Sequence, residues 1–196
     1  MTSRCLIFLL AIIYQVPVFA GQGKTVKIAC LGASICAGAR LAHPETASYP
    51  AQLGKLLGPG YQVTNYGVSS TTLLKKGDFP YWSTKEYRAA LASEPDIVLI
   101  DLGGNDSKLV NRVHLNEYEK DYREMIGAFR ALPSHPRIIL LQPIVSFVKD
   151  TTQIWDPVIK AQILPKVRQV AYDENVELIN LNALLIDKPA LMPDGI

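Results

Sequence analysis

Five short apolar runs punctuate the chain, and the apolar residues between them fall at helical spacing. Val26-Lys-Ile-Ala-Cys-Leu31 is the first and stops at Gly32. Asp96-Ile-Val-Leu-Ile-Asp101 and Arg137-Ile-Ile-Leu-Leu141 are apolar on both faces, as central strands of a parallel sheet must be when helices cover both sides. Tyr61-Gln-Val-Thr-Asn-Tyr66 alternates, and Val176-Glu-Leu-Ile-Asn180 completes the set. Tyr49 to Leu57 reads as an amphipathic helix closed by Gly58-Pro59-Gly60, and Arg88 to Ala92 closes another. Asn116 and Glu119 have the spacing of a capping box, opening a helix whose Tyr118, Tyr122, Met125, Ile126 and Phe129 share one core-facing side. Asp156-Pro157 opens a last long helix through Val170, with a kink expected at Pro165. Strands alternating with helices predict an α/β fold, a parallel sheet with helices on both faces joined by right-handed crossovers.

Composition refines this picture at the ends. The 196 residues, 48% hydrophobic, suit one well-buried domain. Residues 1–20 carry Arg4, an apolar run from Cys5 to Tyr14, and Val18-Phe19-Ala20, the pattern of a signal peptide whose removal leaves a domain over 21–196. The expectation is therefore an exported protein, periplasmic or extracellular. The apolar run falls short of the roughly 20 residues of a transmembrane helix, so no membrane span is expected after cleavage. A net charge of +2 without any basic block argues against a nucleic-acid partner. Cys30 and Cys36 read as free buried thiols, since a bridge would cramp the turn beginning at Gly32. No cysteine–histidine spacing fits zinc, and neither a metal nor a cofactor is expected.

That turn holds the first candidate for chemistry. Ser34 follows Gly32-Ala33 just beyond a predicted strand end, where open α/β sheets place their active groups. Read alone, it is better accounted for as a helix cap. Gly67 ends the second run, however, and Asn105 follows the third in Gly103-Gly104-Asn105-Asp106. Acyl transfer needs a hydroxyl to attack, a base to take its proton, and donors aimed at the oxyanion. Ser34 provides a hydroxyl, while its own N–H, the Gly67 N–H and the Asn105 amide are candidate donors.

These three blocks, Gly32-Ala33-Ser34-Ile35, Asn65-Tyr66-Gly67-Val68-Ser69 and Gly103-Gly104-Asn105-Asp106, resemble in order those of the SGNH hydrolases, or GDSL-type esterases. The resemblance implies a three-layer α/β/α flavodoxin-like fold with a five-stranded parallel sheet of order 2-1-3-4-5. It also implies Ser34 as nucleophile, Gly67 and Asn105 as oxyanion donors, and Asp194 as the carboxylate that orients a histidine base. More narrowly, Ala39-Arg40, Ser48-Tyr49-Pro50-Ala51-Gln52-Leu53 and Pro80-Tyr81-Trp82 resemble exported carbohydrate acetylesterases of the sialate O-acetylesterase-like kind. The implied substrate is an O-acetyl ester on a sugar, as a small molecule or a glycan, cut through an acyl-serine.

The chain departs from the family pattern in three places. Ala33 stands where many members carry aspartate, and Ser70 replaces a common glycine. Asp194-Gly195-Ile196 fits the family's Asp-x-x-His block up to the histidine, where the sequence stops. A natural chain continuing with histidine is the expectation, and the 196 residues alone are expected to be weak or inactive. His135 precedes the fourth strand, at the wrong end of the sheet, and His43 and His114 read as surface loop residues. Two rivals remain: a catalytically silent carbohydrate-binding relative, and a lipid or thioester acyl hydrolase of the same fold.

Overall fold

A computed structural model describes residues 24–192 and 194–196. The leader expected over residues 1–20 lies outside the described residues. Strands β1 (Val26–Gly32), β2 (Tyr61–Gly67), β3 (Ile97–Asp101), β4 (Arg137–Leu141) and β5 (Glu177–Ile179) form one sheet of order β2-β1-β3-β4-β5. Every pairing is parallel. This is the expected architecture.

Side chains alternate across the sheet, and each set meets its own layer of helices. Ala29, Leu31, Val98, Ile100, Ile138 and Leu140 face the larger core. There they meet α4 (Lys85–Ala92) through Tyr87 and Ala90, and α6 (Tyr118–Arg130) through the one-sided set the spacing predicts. Tyr118, Tyr122, Met125, Ile126 and Phe129 are fully buried, each side chain contributing about 1.5–3 kcal/mol of burial. Ile28, Cys30, Leu99, Ile139 and Leu141 face the other way, toward Cys36 of α1 (Ser34–Ala37), and Tyr49 and Leu53 of α3 (Tyr49–Leu57). A single turn, α2 (Pro44–Ala47), leads into α3. Cys30 and Cys36 are both free and buried, and burial pushes the Cys30 thiol up to about 12.

Two local expectations are corrected. The Asn116/Glu119 capping box does not form: α6 begins at Tyr118 after Glu117, without any side-chain cap. Glu119 instead points along the helix to Arg123 and across to Lys166, so its carboxylate is spent on cations. The helix after Asp156 does not simply kink at Pro165. A short α7 (Asp156–Val158) widens into a π turn over Ile159–Ile163, and α8 (Leu164–Asp173) starts afresh with Pro165 in its first turn. The proline thus sits where its missing N–H costs little, and the buried Gln142 side chain donates to the Leu164 carbonyl at the junction. The chain then passes through β5 to α9 (Leu181–Leu185), whose Leu181 packs against the smaller core. Among the described residues, no helix is long and apolar enough to cross a membrane.

Candidate active site

Register brings the turns together. Gly32 pairs with both Gly67 and Asp101, so β1, β2 and β3 end level at their carboxyl ends. Residues just beyond these three strand ends line one cleft of about 500 Å³, within the usual range for small-molecule sites.

Ser34 enters this cleft at the first residue of α1. The cap position belongs to Ala33, which makes no capping hydrogen bond, so the helix-cap account of Ser34 does not hold. Its hydroxyl is left facing the cleft.

Gly67 is not on the cleft. Its N–H donates 2.8 Å to the Asn65 side chain, and its open side faces Ala37, Ser48 and Pro50 on the opposite flank of α1. A Cβ there would lie 2.3 Å from the Ala37 nitrogen. Glycine is needed so that the end of β2 can press against the helix carrying Ser34, and the expectation of a Gly67 oxyanion donor is corrected to this packing role. Asn65 ties the same contact, donating 2.8 Å to the Cys36 carbonyl.

Ser69 and Ser70, at and just after the end of this block, reach the cleft, and Ser70 is the one in an unusual backbone state. It holds φ +69°, the left-handed region that favours glycine, and its N–H has no partner among the described residues. Ser70 thus holds a backbone shape that a glycine would adopt at no steric cost. The sequence carried this signal in Ser69-Ser70, but a missing glycine masked it.

Asn105 lies on the cleft in a 3-10 turn, Asn105–Ser107. Gly103, at φ +125° and packed against the Tyr118 hydroxyl, makes the sharp exit from β3 that allows it. One side-chain N–H donates 3.0 Å to the Thr71 carbonyl, which leaves the other of the amide's two donors for the cleft. The Asn105 carbonyl is itself held by Asn111 at 2.8 Å, from α5 (Leu109–Arg112).

The segment after Ser70 has little regular structure, yet it is fixed from β3 outward. The Asp106 carboxyl accepts from the N–H groups of Leu73 and Leu74 at 3.1 and 2.8 Å. Asp121 accepts from the Lys75 N–H at 2.8 Å, and Asn111 holds Asp78 through both backbone and side chain. Trp82 donates 2.7 Å to the Leu73 carbonyl and carries the Lys75 ammonium 4.2 Å above its ring. Burial pushes the Asp106 carboxyl up to about 7 against the pull of its backbone donors.

Asp194 closes the cleft on the far side. Arg40, also at positive φ, reaches its carboxylate at 2.6 Å, and the Ile196 N–H adds a bond of 3.3 Å. Burial acts to raise this carboxyl, but the guanidinium and the N–H outweigh it and hold it below its ordinary value. Lys108 and Gln153 add polar groups, and Val148 and Ile154 add apolar walls.

Beneath Ser34 a recess of about 40 Å³ runs inward between Ile144, Val145 and Asn105 to Asp101. Asp101 was not a candidate, because its place in an apolar run reads as a strand end. It is buried, one of its oxygens has no partner among the described residues, and burial pushes its carboxyl up to about 7.

No histidine lines the cleft. His43 faces solvent beside Glu45, and His135 sits before β4 at the other end of the sheet. Among the described residues no group of three or more histidine, cysteine or acidic side chains is placed to hold a metal ion.

This geometry can be set beside known proteins. An acetylxylan esterase of Xylanibacter ruminicola is 39% identical over 195 residues, covering 90% of this chain and 40% of that protein. The chain thus spans less than half the length of that relative. Among solved structures, Est24, a carbohydrate acetylesterase from Sinorhizobium meliloti, superposes with a TM-score of 0.67 at 19% identity over 79% of this chain and 83% of that one. AlinE4, an SGNH-hydrolase family esterase, gives a TM-score of 0.63 at 21% identity, over 87% and 84% of the two chains. At such identities these structures speak for the fold. The sequence itself matches the GDSL-like lipase/acylhydrolase family over residues 30–196, a span that takes in Ser34, Ser70, Asn105 and Asp194, and the chain belongs to that family.

Proposed function

We propose that the protein is an exported serine esterase that removes O-acetyl groups from carbohydrate. The observation that carries this reading is that Ser34, Ser70 and Asn105 line one cleft, the Ser70 N–H having no partner among the described residues and the Asn105 amide keeping one donor beyond its bond to Thr71. The cleft's polar lining of serines, Gln153 and charged groups suits sugar hydroxyls better than a long acyl chain. The 39%-identical acetylxylan esterase supports the same substrate class.

In this reading Ser34 Oγ attacks the ester carbonyl carbon while its proton passes to a base. The carbonyl oxygen becomes an oxyanion, held by the N–H groups of Ser34 and Ser70 and by the Asn105 amide. One such donor typically contributes about 3–4 kcal/mol to the transition state. The C–O bond to the sugar then breaks, the sugar oxygen takes the proton, and acetyl-Ser34 remains. Water attacks that ester in the same way, releasing acetate and restoring the hydroxyl. Our reading assigns the base to a histidine oriented by Asp194.

The test is hydrolysis of an acetylated oligosaccharide by the chain expressed to its natural stop codon, beside Ser34→Ala. Loss of at least 10³-fold in kcat is expected for the variant. Equal rates in the two proteins would refute the serine mechanism. The absence of a histidine from the cleft favours one alternative, a silent carbohydrate-binding relative. Saturable sugar binding without Ser34-dependent hydrolysis in the full-length chain would establish it.

A further inference from the structure

The charges around the cleft are not balanced, and the imbalance lies on one side. Arg40 is neutralised by Asp194 at 2.6 Å. Lys108, on the Asn105 side, lines the cleft with no acidic group in ion-pair reach among the described residues. It follows the Asn105–Ser107 turn and opens α5. Arg112, the last residue of α5, is the next cation along the chain and lies off the cleft lining. Its guanidinium lies 4.9 Å over the Trp155 ring and donates 3.1 Å to the Thr151 carbonyl, again with no acidic partner among the described residues.

The acids close to this lip in sequence and in the facing 148–156 segment are all occupied. Asp150 accepts from the N–H and hydroxyl of Thr152 at 2.9 and 2.7 Å. Asp156 is paired with Lys160 at 2.7 Å and accepts from the Ser146 N–H. Asp106 is turned inward to Leu73 and Leu74. The backbone bond from the Leu109 N–H to the Thr152 carbonyl, 3.1 Å, fixes the lip against that segment. Lys108 is therefore a cation at the cleft edge on a fixed backbone, not one end of an internal ion pair.

We propose that this lip selects acylated glycans bearing a carboxylate: Lys108 binds the carboxyl group of an acidic sugar next to the acylated one. The inference rests on the sugar-ester reading of the cleft and names the kind of sugar. A neutral polysaccharide offers the ammonium only uncharged oxygens, whereas a uronic acid adds a charge-assisted hydrogen bond, roughly twice as strong. The partly solvated setting keeps the gain modest and makes it sensitive to salt.

The experiment measures binding, so that it is decided whether or not catalysis follows. Ser34→Ala protein, expressed to the natural stop codon, is titrated calorimetrically with an acetylated oligosaccharide carrying one uronic acid, and with the same oligosaccharide after reduction of its carboxyl to the alcohol. The acidic ligand is expected to bind about fivefold tighter at low salt, with the gap closing in 0.5 M NaCl. Lys108→Gln removes the gap, Lys108→Glu reverses it, and Lys108→Arg keeps it, which separates charge recognition from a general loss of fold. Equal affinity for the two ligands, no binding of the acidic one, or a preference that survives Lys108→Gln overturns the proposal. Failure of the esterase reading shows up elsewhere, as hydrolysis indifferent to Ser34.

Discussion

The Arg40 guanidinium lies 2.6 Å from the Asp194 carboxylate across the mouth of the cleft, joining residues 154 positions apart. One partner leaves the loop after α1, close to Ser34, and the other belongs to the segment that ends the described chain. The pair sets the distance between these two walls and fixes the charge state of the acid.

Removing the guanidinium should therefore be visible in the acid itself. With its folded pKa depressed below 3.8, Asp194 contributes stability that is present above the ordinary value and lost as pH falls through the folded one. Arg40→Gln is expected to move the Asp194 titration upward, followed by ¹³C NMR of the carboxyl carbon. An unchanged titration would show that the contact does not set the acid's charge.

Gly67 and Ser70 should respond in opposite senses to the same kind of change. Gly67→Ala drives a Cβ to 2.3 Å from the Ala37 nitrogen, a backbone atom that cannot swing aside, and is expected to cost about 2–3 kcal/mol, or roughly 5–10 °C in Tm. Ser70→Gly keeps the left-handed backbone and its N–H, and should retain hydrolysis of an acetyl ester within about twofold. Ser70→Val disfavours that conformation and should lower kcat more than tenfold with little change in KM. Thermal melts and steady-state kinetics on these three proteins decide it. A Ser70→Val enzyme with unaltered kcat would remove Ser70 from the oxyanion site.

Asp101 gives a pH dependence of the opposite sign to Asp194. Its folded pKa is raised from 3.8 to about 7, so the folded state binds the proton more tightly. The stability this contributes is fully present below the unfolded value and is lost as pH rises from about 4 to 7. Asp101→Asn keeps the size without the charge, and should flatten the fall of Tm between pH 5 and pH 8. A variant as pH-sensitive as the parent would mean that Asp101 stays ionised in the folded protein.

Most of the fold was legible because two periodicities sort this chain cleanly. Ile97–Ile100 are apolar on both faces, and Tyr118 to Phe129 repeat on one side, so the central strand and the main helix could be assigned to a covered parallel sheet. Ser34 and Asn105 were legible as the polar residues just beyond strand ends. Gly67 was misread because glycine permits close approach to anything, and sequence does not say whether the neighbour is a substrate or the backbone of Ala37. Glu119 was misread for a related reason: a capping glutamate and an ion-pairing one look alike until Lys166 arrives from α8, 47 residues away. The Arg40–Asp194 pair, being wholly long-range, left no local trace.

The stretch from Thr71 to Pro80 has almost no regular structure, and by length and composition it would pass for a loop free to vary. Carboxyl or amide groups of Asp106, Asp121, Asn105 and Asn111 nevertheless grip it at five or more backbone positions. Each grip counts residues from Ser70. A residue inserted there cannot be absorbed as slack, because it would either break a buried carboxyl bond or shift Ser70 from the cleft wall. This connection is thus a ruler rather than a tether, and change of specificity in this fold is cheaper to make in the 148–156 segment across the cleft, whose own hold is a few bonds to Thr151, Thr152, Ile154 and Trp155.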